Sequence, residues 1–454
     1  MASFEELEQF HTAEYLTYIK HNSISAKEAE FDQKKRDELQ ELGLIDDCYL
    51  FEGLFEYMQW VAGSTLTAAK VLVEGKAVVA INWGGGRHHA MPSMASGFCY
   101  VNDIVLGILE LLNAFDRVLY IDVDVHHGDG VEHAFKYSNE VFTLSFHRHG
   151  PGFFPGTGAI VDFGKGEGAY CNLNVPLDKG ITDGQYIRIF SRVLTAVTSR
   201  FQPKAVVMQC GCDSLAPDKL GGGFNLTSRG LAACLAKVLG FKLPTLLLGG
   251  GGYDPTTVSR CWTLLLATAA RVKLESQIPE HQRYERYGPT FDLHTQPVPT
   301  RPNLNTASSL AKLAEGIRVF LIRMQIACTD ANRKDKTPEN GGVTSTSASM
   351  RHDDRNSATL GSEKVSNSNT CGDPPDAKSE RNGEEEASER ATRTQGSNPR
   401  AVEETSSGMK QKPSAGMKKQ FKSSKRRKRQ TDGITRKRSK QSLSVFQFEP
   451  EECD

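Results

Sequence analysis

The fold is decided at one decapeptide, Ile121-Asp122-Val123-Asp124-Val125-His126-His127-Gly128-Asp129-Gly130, where an apolar run gives way to glycine. In an extended strand alternate side chains share a face, so Asp122, Asp124 and His126 are predicted to point one way and the valines the other. Same-face neighbours lie about 7 Å apart, close enough for Asp124 and His126 to converge on one ion. Unpaired buried charge is costly, which favours a ligand-binding strand end over an ordinary core strand. The alternative is a solvated turn after a strand.

The composition divides the chain into two unlike parts. Its 454 residues carry 55 basic and 55 acidic side chains, so the formal net charge is zero. Regular apolar runs and many glycines predict one globular domain over residues 1–325. Residues 326–454 are dominated by Ser, Thr, Asn, Lys, Arg, Glu and Gly, a composition that predicts a disordered polar tail.

Basic residues concentrate at 418–440 within this predicted tail. Such a cluster favours nuclear import or a contact with nucleic acid, and its alternative is a solvated linker. The ten cysteines form no CxxC pair, and the sequence shows neither a secretory signal nor an apolar run of membrane-spanning length. These features predict an intracellular, soluble protein with reduced thiols.

Short apolar runs alternate with segments of helical spacing along the first part of the chain. The apolar runs are 77–82, 118–124, 141–146, 205–209 and 245–248, and the helical segments are 64–73, 103–115, 185–199, 228–239 and 257–270. This alternation predicts a three-layer α/β/α domain with a mostly parallel sheet. Ligands bind at the carboxyl ends of the strands in such sheets. The polar segments that follow these strands are 83–89, 122–129, 209–213 and 249–253.

Asp124 and His126, with one further carboxylate, would form an oxygen-and-nitrogen metal site that keeps open positions. This donor set suits catalytic zinc better than structural zinc, which is saturated by four protein ligands. Asp213 is the natural third ligand because it also follows a strand. Cys210 and Cys212 are competing candidates, since thiolates bind zinc well.

Two adjacent imidazoles, His88 and His89, follow a glycine-rich loop. Imidazole suits acid–base chemistry near neutral pH, but a partner on its second nitrogen must fix the tautomer. Asp122 and Asp129 are the expected partners, an arrangement that also raises imidazole basicity. His127 is expected to be structural.

Three further glycine-flanked segments bring aromatic rings to the same edge. Tyr253 follows four glycines at 249–252, and its hydroxyl is placed to donate to a developing oxyanion. Gly97-Phe98 and the aromatic segment 153–158 are either buried core or the walls of a narrow apolar channel.

Taken together, these motifs resemble the zinc-dependent histone deacetylases of class I, which have the arginase/deacetylase fold. The resemblance runs from about residue 4 to residue 291, in order and with few gaps. Its matching segments are 85–89, 95–103, 120–130, 154–158, 209–215, 224–227, 248–253 and 260–263.

The resemblance implies hydrolysis of N6-acetyl-lysine in histones and a role in transcriptional repression. The implied zinc ligands are Asp124, His126 and Asp213, and the implied catalytic residues are His88, His89, Asp122, Asp129 and Tyr253. Residues implied to line the acetyl-lysine tunnel are Gly97, Phe98, Phe154 and Leu220, with Asp47 holding the substrate backbone at the rim.

The resemblance also implies ligands and partners beyond zinc. Structural potassium would bind around Asp122, Asp124, His126, Ser145 and Phe146. An inositol phosphate shared with a corepressor would contact Lys219 and Arg260. The implied partners are acetylated histone tails and corepressor subunits, with no membrane, and the implied location is the nucleus, the cytoplasm being left open.

The sequence departs from the family pattern in two regions. It lacks a segment that the family has before residues 10–12, and with it a strand of the sheet, an arginine beneath the metal and a lysine of the inositol phosphate site. We therefore expect a shortened domain with an unpaired sheet edge. Near the site, Arg87, Tyr49 and residues 91–94 replace the family's usual types.

Two other functions remain open from the sequence. The same fold supports deacetylation of small acetylated amines, although the basic tail favours a protein substrate. The second alternative is a catalytically impaired scaffold of a corepressor complex. The absence of the segment expected before residues 10–12 favours this alternative, whereas the complete set of metal ligands and histidines argues against it.

Overall fold

The computed structural model describes the backbone of residues 1–22 and 33–334, and the side chains as far as residue 326. The strands are β1 (Val79–Asn82), β2 (Val118–Asp122), β3 (Val141–Arg148), β4 (Asn172–Leu177), β5 (Ala205–Gln209) and β6 (Thr245–Leu248). The helices are α1 (Phe4–Leu7), α2 (Ala13–Asn22), α3 (Gln33–Glu41), α4 (Leu54–Val73), α5 (Asp103–Leu112), α6 (Asp129–Phe135), α7 (Asp183–Phe201), α8 (Ser228–Leu239), α9 (Pro255–Ala270) and α10 (Ala307–Lys334).

The six strands form one sheet in the order β1-β6-β5-β2-β3-β4, and every described pair is parallel. Parallel neighbours require crossover connections, which are supplied here mostly by helices. The α/β fold class predicted from alternating apolar and helical segments is confirmed. All five predicted strands are present, and β4 is an additional strand at the edge beside β3.

Helices cover both faces of the sheet, as β2 illustrates. Leu119 and Ile121 pack into one apolar cluster with side chains of α7 and α8, whereas Val118 and Tyr120 pack into another with α4 and α5. All five residues of β2 are buried. Burial on both faces explains why this strand reads as a nearly continuous apolar run.

A third apolar cluster joins the amino-terminal helices α1 and α2 to α4. Two buried polar groups connect this cluster to the loop between β1 and α5. The Tyr15 hydroxyl donates to the carbonyl of Tyr100 at 2.8 Å, and the Asn102 N–H donates to His11 Nε2 at 2.9 Å. The amino-terminal helices therefore support a loop that leads to the site.

Helix α10 continues through Lys334 and so crosses the domain boundary predicted after residue 325. The predicted disordered tail beyond it, including the basic cluster at 418–440, lies outside the described residues. Across the ranges 1–22 and 33–334, no helix is both long and apolar enough to cross a membrane.

Candidate active site

The site lies where four neighbouring strands end. β1, β6, β5 and β2 are adjacent and parallel, so the segments that follow them meet at one edge of the sheet. These segments are the four polar ones singled out in the sequence. Two of them lead directly into helices, α6 after β2 and α9 after β6, whereas residues 90–102 separate the segment after β1 from α5. The predicted convergence of the four segments is confirmed.

The strand geometry predicted for the opening decapeptide is wrong beyond Asp122, where β2 ends. The Asp122 carboxylate accepts the Asp124 N–H at 3.0 Å, and the Asp124 carboxylate accepts the His126 N–H at 3.0 Å. Aspartate favours such local bonds to the backbone two residues on, and they bend the chain. Val123 and Val125 still point into the core, so the expected alternation of side chains persists without an extended strand.

Asp124, His126 and Asp213 form a group whose donor atoms can hold a metal ion. One donor atom from each lies within 4.8 Å of the others. His126 Nδ1 lies 3.1 Å from Asp124 Oδ1 and 3.0 Å from Asp213 Oδ2. Two carboxylates and one imidazole leave open positions on a tetrahedral ion, so the residues fit catalytic zinc.

Backbone and amide donors hold the two carboxylates of this group in place. Asp124 Oδ2 accepts from Gln209 Nε2 and from the Gly251 N–H, each at 2.8 Å, and Asp213 Oδ1 accepts from the Val125 N–H at 2.8 Å. Gln209 was not among the predicted site residues, although its position at the end of β5 was a usable signal. Because both carboxylates are fully buried, these donors offset part of their desolvation cost.

The two histidines each pair with the carboxylate expected for them. His88 Nδ1 donates to Asp122 Oδ2 at 2.8 Å, and His89 Nδ1 donates to Asp129 Oδ1 at 2.7 Å. The Tyr120 hydroxyl also donates to Asp122 Oδ2, at 2.6 Å, a contact that the sequence analysis missed. Both imidazoles therefore keep Nε2 free of these bonds, with the tautomer fixed by a carboxylate.

The environment drives the two imidazole pKa values apart. Burial lowers the pKa of His88, but the charges of Asp122 and Asp124 outweigh it and raise the pKa to about 9. Burial, together with the neighbouring His88, lowers the pKa of His89 to about 4. At neutral pH His88 is thus the cationic member of the pair and His89 the neutral one. Opposed shifts of this kind are how sites separate acid and base roles.

The histidine loop is anchored by a residue that the sequence analysis missed. Asp103, fully buried at the start of α5, accepts the N–H groups of Gly86 and Arg87 and the Thr65 hydroxyl. A carboxylate beside the helix cap Asn102, ahead of an apolar helix face, was the available signal. Arg87 contributes its backbone here, while its Nε is buried and has no hydrogen-bond partner among the residues that the structure describes.

Tyr253 reaches the site from the glycine loop after β6. Its N–H donates to Asp218 Oδ2 at 2.6 Å, and its ring lies 5.9 Å from that of Phe98. Burial and the charges of Asp124 and Asp213 hold the pKa of Tyr253 well above its ordinary value. The phenol is therefore a neutral hydrogen-bond donor near the metal-binding group.

Aromatic rings wall the approach to the histidines. The Phe154 ring lies 4.9 Å from that of His89, and Phe153 stacks on His126 at 5.1 Å. A Cβ at Gly97 would lie 2.5 Å from His89 Cδ2 and 2.9 Å from Phe154 Cε1. Gly97 also has φ +54°, so its lack of a side chain is required both for space and for backbone conformation.

Two predicted substrate-binding residues lie at the outer end of this approach. Leu220 is exposed, and its N–H donates to the same Asp218 that binds the N–H of Tyr253. Asp47 is exposed on the loop whose next residue, Cys48, contacts the backbone of Phe98. Both positions fit a rim around the Phe98 ring.

The structure also shows where the competing candidates Cys210 and Cys212 lie, and what His127 contacts. Cys210 and Cys212 are buried in the main apolar cluster, and neither belongs to a metal-binding group among the described residues. His127 bonds to Thr157 Oγ1 at 2.8 Å and to Glu132 Oε2 at 2.9 Å. These contacts agree with the structural role expected for His127.

The family resemblance also implies residues for potassium and for an inositol phosphate, and three of them are Ser145, Lys219 and Arg260. Ser145 pairs with Asp122 across β2 and β3, beside the metal-binding segment. Lys219 is exposed next to Leu220. The Arg260 guanidinium donates to the carbonyl groups of Asp292 and Tyr287, each at 2.7 Å.

Comparison with known proteins gives one consistent result. The histone deacetylase domain family matches residues 1–269. Histone deacetylase 8 of Danio rerio is 47% identical over 318 residues, covering 70% of this chain and 82% of the relative. Histone deacetylase 8 of Xenopus laevis is 46% identical, with 71% and 97% covered. Human histone deacetylase 1 is 45% identical, with 69% and 64% covered.

Proposed function

Because the chain belongs to the histone deacetylase family, we propose that the site described above carries out its lysine deacetylation. The enzyme is an amide hydrolase that releases the acetyl group of acetyl-lysine as acetate. The observation that supports this assignment most strongly is the convergence of a metal-binding group with two carboxylate-paired histidines.

Asp124, His126 and Asp213 are the proposed zinc ligands, supported by their donor spacing and by their fit to an open tetrahedral site. When bound, the ion acts as a Lewis acid toward the acetyl carbonyl and lowers the pKa of water. The chain's own contribution is to hold both carboxylates in a fixed orientation, through the donors from Gln209 and the backbone.

The two histidines have different protonation states and therefore different roles in the proposed reaction. Neutral His89 accepts a proton from the attacking water at Nε2, while Asp129 stabilises the imidazolium that forms. His88, cationic at neutral pH through Asp122, stabilises negative charge as the tetrahedral species develops. A protonated imidazole then gives its proton to the departing lysine amine.

Substrate positioning falls to the aromatic walls and the rim. Gly97, Phe98, Phe154 and Leu220 enclose the alkyl chain of acetyl-lysine, and Asp47 accepts N–H groups of the substrate backbone. Tyr253 donates its hydroxyl proton in a hydrogen bond to the acetyl oxygen, which its raised pKa supports.

Further ligands belong to the proposal only through the family resemblance. Potassium would bind beside Asp122 and Ser145, next to the metal-binding segment. An inositol phosphate would contact Lys219, which is exposed, and Arg260, whose guanidinium would have to exchange bonds with two backbone carbonyls.

The proposed substrates are acetylated histone tails, and the proposed partners are subunits of a corepressor complex. The proposed location is the nucleus, with the cytoplasm as a second compartment. Support comes from the basic cluster at 418–440, which would also allow a nucleic-acid contact.

A peptide assay tests the function. The purified chain is given an acetyl-lysine peptide, with and without a chelator, beside Asp213→Ala and Tyr253→Phe. We expect the chelator and Asp213→Ala each to lower kcat/KM by at least about a thousandfold, and Tyr253→Phe by about a hundredfold, as for loss of a metal and of one oxyanion donor. Exposed Asp116→Ala and Tyr137→Phe are matched controls that should retain activity.

The outcomes separate the alternatives. Activity that ignores both the chelator and Asp213→Ala would overturn the zinc mechanism. A chain that binds zinc but hydrolyses nothing would support the corepressor scaffold. Faster hydrolysis of small acetylated amines than of peptides would support the alternative function, deacetylation of small acetylated amines.

A further inference from the structure

Two large aromatic side chains stand exposed beside the mouth of the site. Tyr49 and Phe51 are 58% and 43% exposed, whereas Leu50 between them is buried. Alternate residues of an extended loop point to opposite sides, so both rings face outward together. Tyr49 differs from the residue type that the family usually has at this position, and none of the proposed catalytic roles uses either ring.

The loop that carries these rings is fastened to the wall of the site. The Tyr100 hydroxyl donates to the Tyr49 carbonyl at 2.8 Å, and the Phe51 and Tyr100 rings lie 5.9 Å apart, edge to face. Cys48, one residue earlier, contacts the backbone of Phe98, whose ring faces Tyr253. A peptide with its acetyl-lysine beside Phe98 would therefore pass next to the two rings.

The surroundings of the rings are acidic. Residues 37–69 contain seven acidic side chains and neither lysine nor arginine. Asp46, Asp47 and Glu52 are exposed around the rings, and none of them forms a salt bridge within the ranges that the structure describes. Their negative charge is available to an approaching cation.

We propose that Tyr49 and Phe51, together with Asp46, Asp47 and Glu52, bind an unmodified lysine or arginine side chain close to acetyl-lysine in the substrate. An aromatic face attracts an ammonium or guanidinium group through its quadrupole. Carboxylates around the face add attraction and raise the rate of encounter with a basic peptide. The proposal rests on the deacetylase function above and adds a preference for basic flanking sequence.

The test compares peptides that differ only in their flanks. Three acetyl-lysine peptides of equal length, with Lys and Arg, Ser and Gly, or Glu flanks, are assayed with the full chain at low and high salt. We expect kcat/KM for the basic peptide to exceed that for the neutral one by about tenfold at low salt, mainly through KM, and the ratio to shrink at high salt.

The double variant Tyr49→Ala/Phe51→Ala should bring this ratio close to one and leave the neutral peptide within about twofold of wild type, because no catalytic contact is removed. Alanine keeps the Tyr49 carbonyl that Tyr100 binds. Tyr137→Ala, which removes a tyrosine 59% exposed on another surface, is the matched control and should keep the preference. A basic preference that survives the double variant, or a wild-type ratio near one, overturns the proposal.

Binding distinguishes failure of this inference from failure of the proposed function. Fluorescence anisotropy of labelled basic and neutral peptides reports affinity without hydrolysis. A tenfold preference in binding with no hydrolysis would refute the deacetylase and retain the rim site. Equal binding, with a dimer in light scattering that the double variant abolishes, would assign the rings to a second copy of the chain and overturn the proposal.

Discussion

The interior of the site and its rim are built in opposite ways. Asp122, Asp124 and Asp213 are fully buried, and each accepts at least two hydrogen bonds. At the rim, Tyr49 and Phe98 are about half exposed and are held mainly through their backbones and ring contacts. We infer from this difference that substitutions inside the site disturb a satisfied polar network, whereas substitutions of exposed rim side chains leave that network in place.

The sharpest test of the interior is removal of His89. We expect His89→Ala to lower kcat about a thousandfold, because a positioned acid–base group and its carboxylate-fixed tautomer are lost together. The measurement is steady-state kinetics on an acetyl-lysine peptide. His133→Ala, an exposed histidine on α6, should change kcat little.

Combining variants tests whether the interior acts as one unit. His88→Ala/His89→Ala should cost little more than His89→Ala alone, because the pair is coupled through shared charges. If the two losses simply multiply, the histidines act independently and the unit described here does not exist.

A second test concerns the support beneath the rim. His11 is buried, and burial lowers its pKa to about 4 although its bonds to Pro92 and Met91 oppose the shift. The unfolded chain takes up a proton near pH 6.5, and the folded chain does so only near pH 4. The stability from neutral His11 is therefore complete above pH 6.5 and is lost on acidification towards pH 4, by about 3 kcal/mol.

Denaturant unfolding of the wild type and of His11→Gln across pH 4–8 measures this loss. Glutamine keeps a donor and an acceptor but does not titrate. The difference in unfolding free energy between the two proteins should shrink as pH falls below 6.5, and a difference that is constant with pH would contradict the assignment.

The smallest expected effect lies where the rim meets the interior, at Gly97. Gly97→Ala should lower kcat/KM about tenfold, because the new methyl group must displace His89 or Phe154, with a further strain of about 1 kcal/mol from the positive φ. Gly75→Ala is a close control, since Gly75 has φ +66° with open space around it. It should show the strain from the positive φ without the steric clash and keep full activity, whereas equal activities for the two variants would place Gly97 outside the active site.

The sequence alone predicted the strands in the middle of the sheet but not the edge strand β4. Strands buried on both faces, such as β2 and β5, were predictable because they read as unbroken apolar runs. β4 was not, because Asn172 and Asn174 bind Thr143 and Glu132 from within it and Pro176 interrupts it at the sheet edge. Its strand character depends on partners that are distant along the chain.

In the site, the residue types and the carboxylate partners of the two histidines were predictable, whereas most supports of the metal-binding group and of the histidine loop were not. Asp124, His126 and Asp213 could be named from their chemistry and their place after strands. The turns that aim them rest on local bonds from Asp122 and Asp124 to the backbone, which the alternation of apolar and polar residues concealed. The roles of Asp103 and Gln209 depend on hydrogen bonds between distant segments. No local pattern encodes those contacts.

The order of the strands carries a consequence for how the protein assembles. β1 lies beside β6, in the register Val79 opposite Thr245, so the histidine loop and the tyrosine loop meet only after a very long stretch of chain has closed. Contacts between residues so far apart in sequence form slowly, because closing the intervening chain costs conformational entropy before the contacts can stabilise the fold. During refolding, the ability to capture a metal ion should therefore lag behind the appearance of helical signal and mark the arrival of the last native contacts.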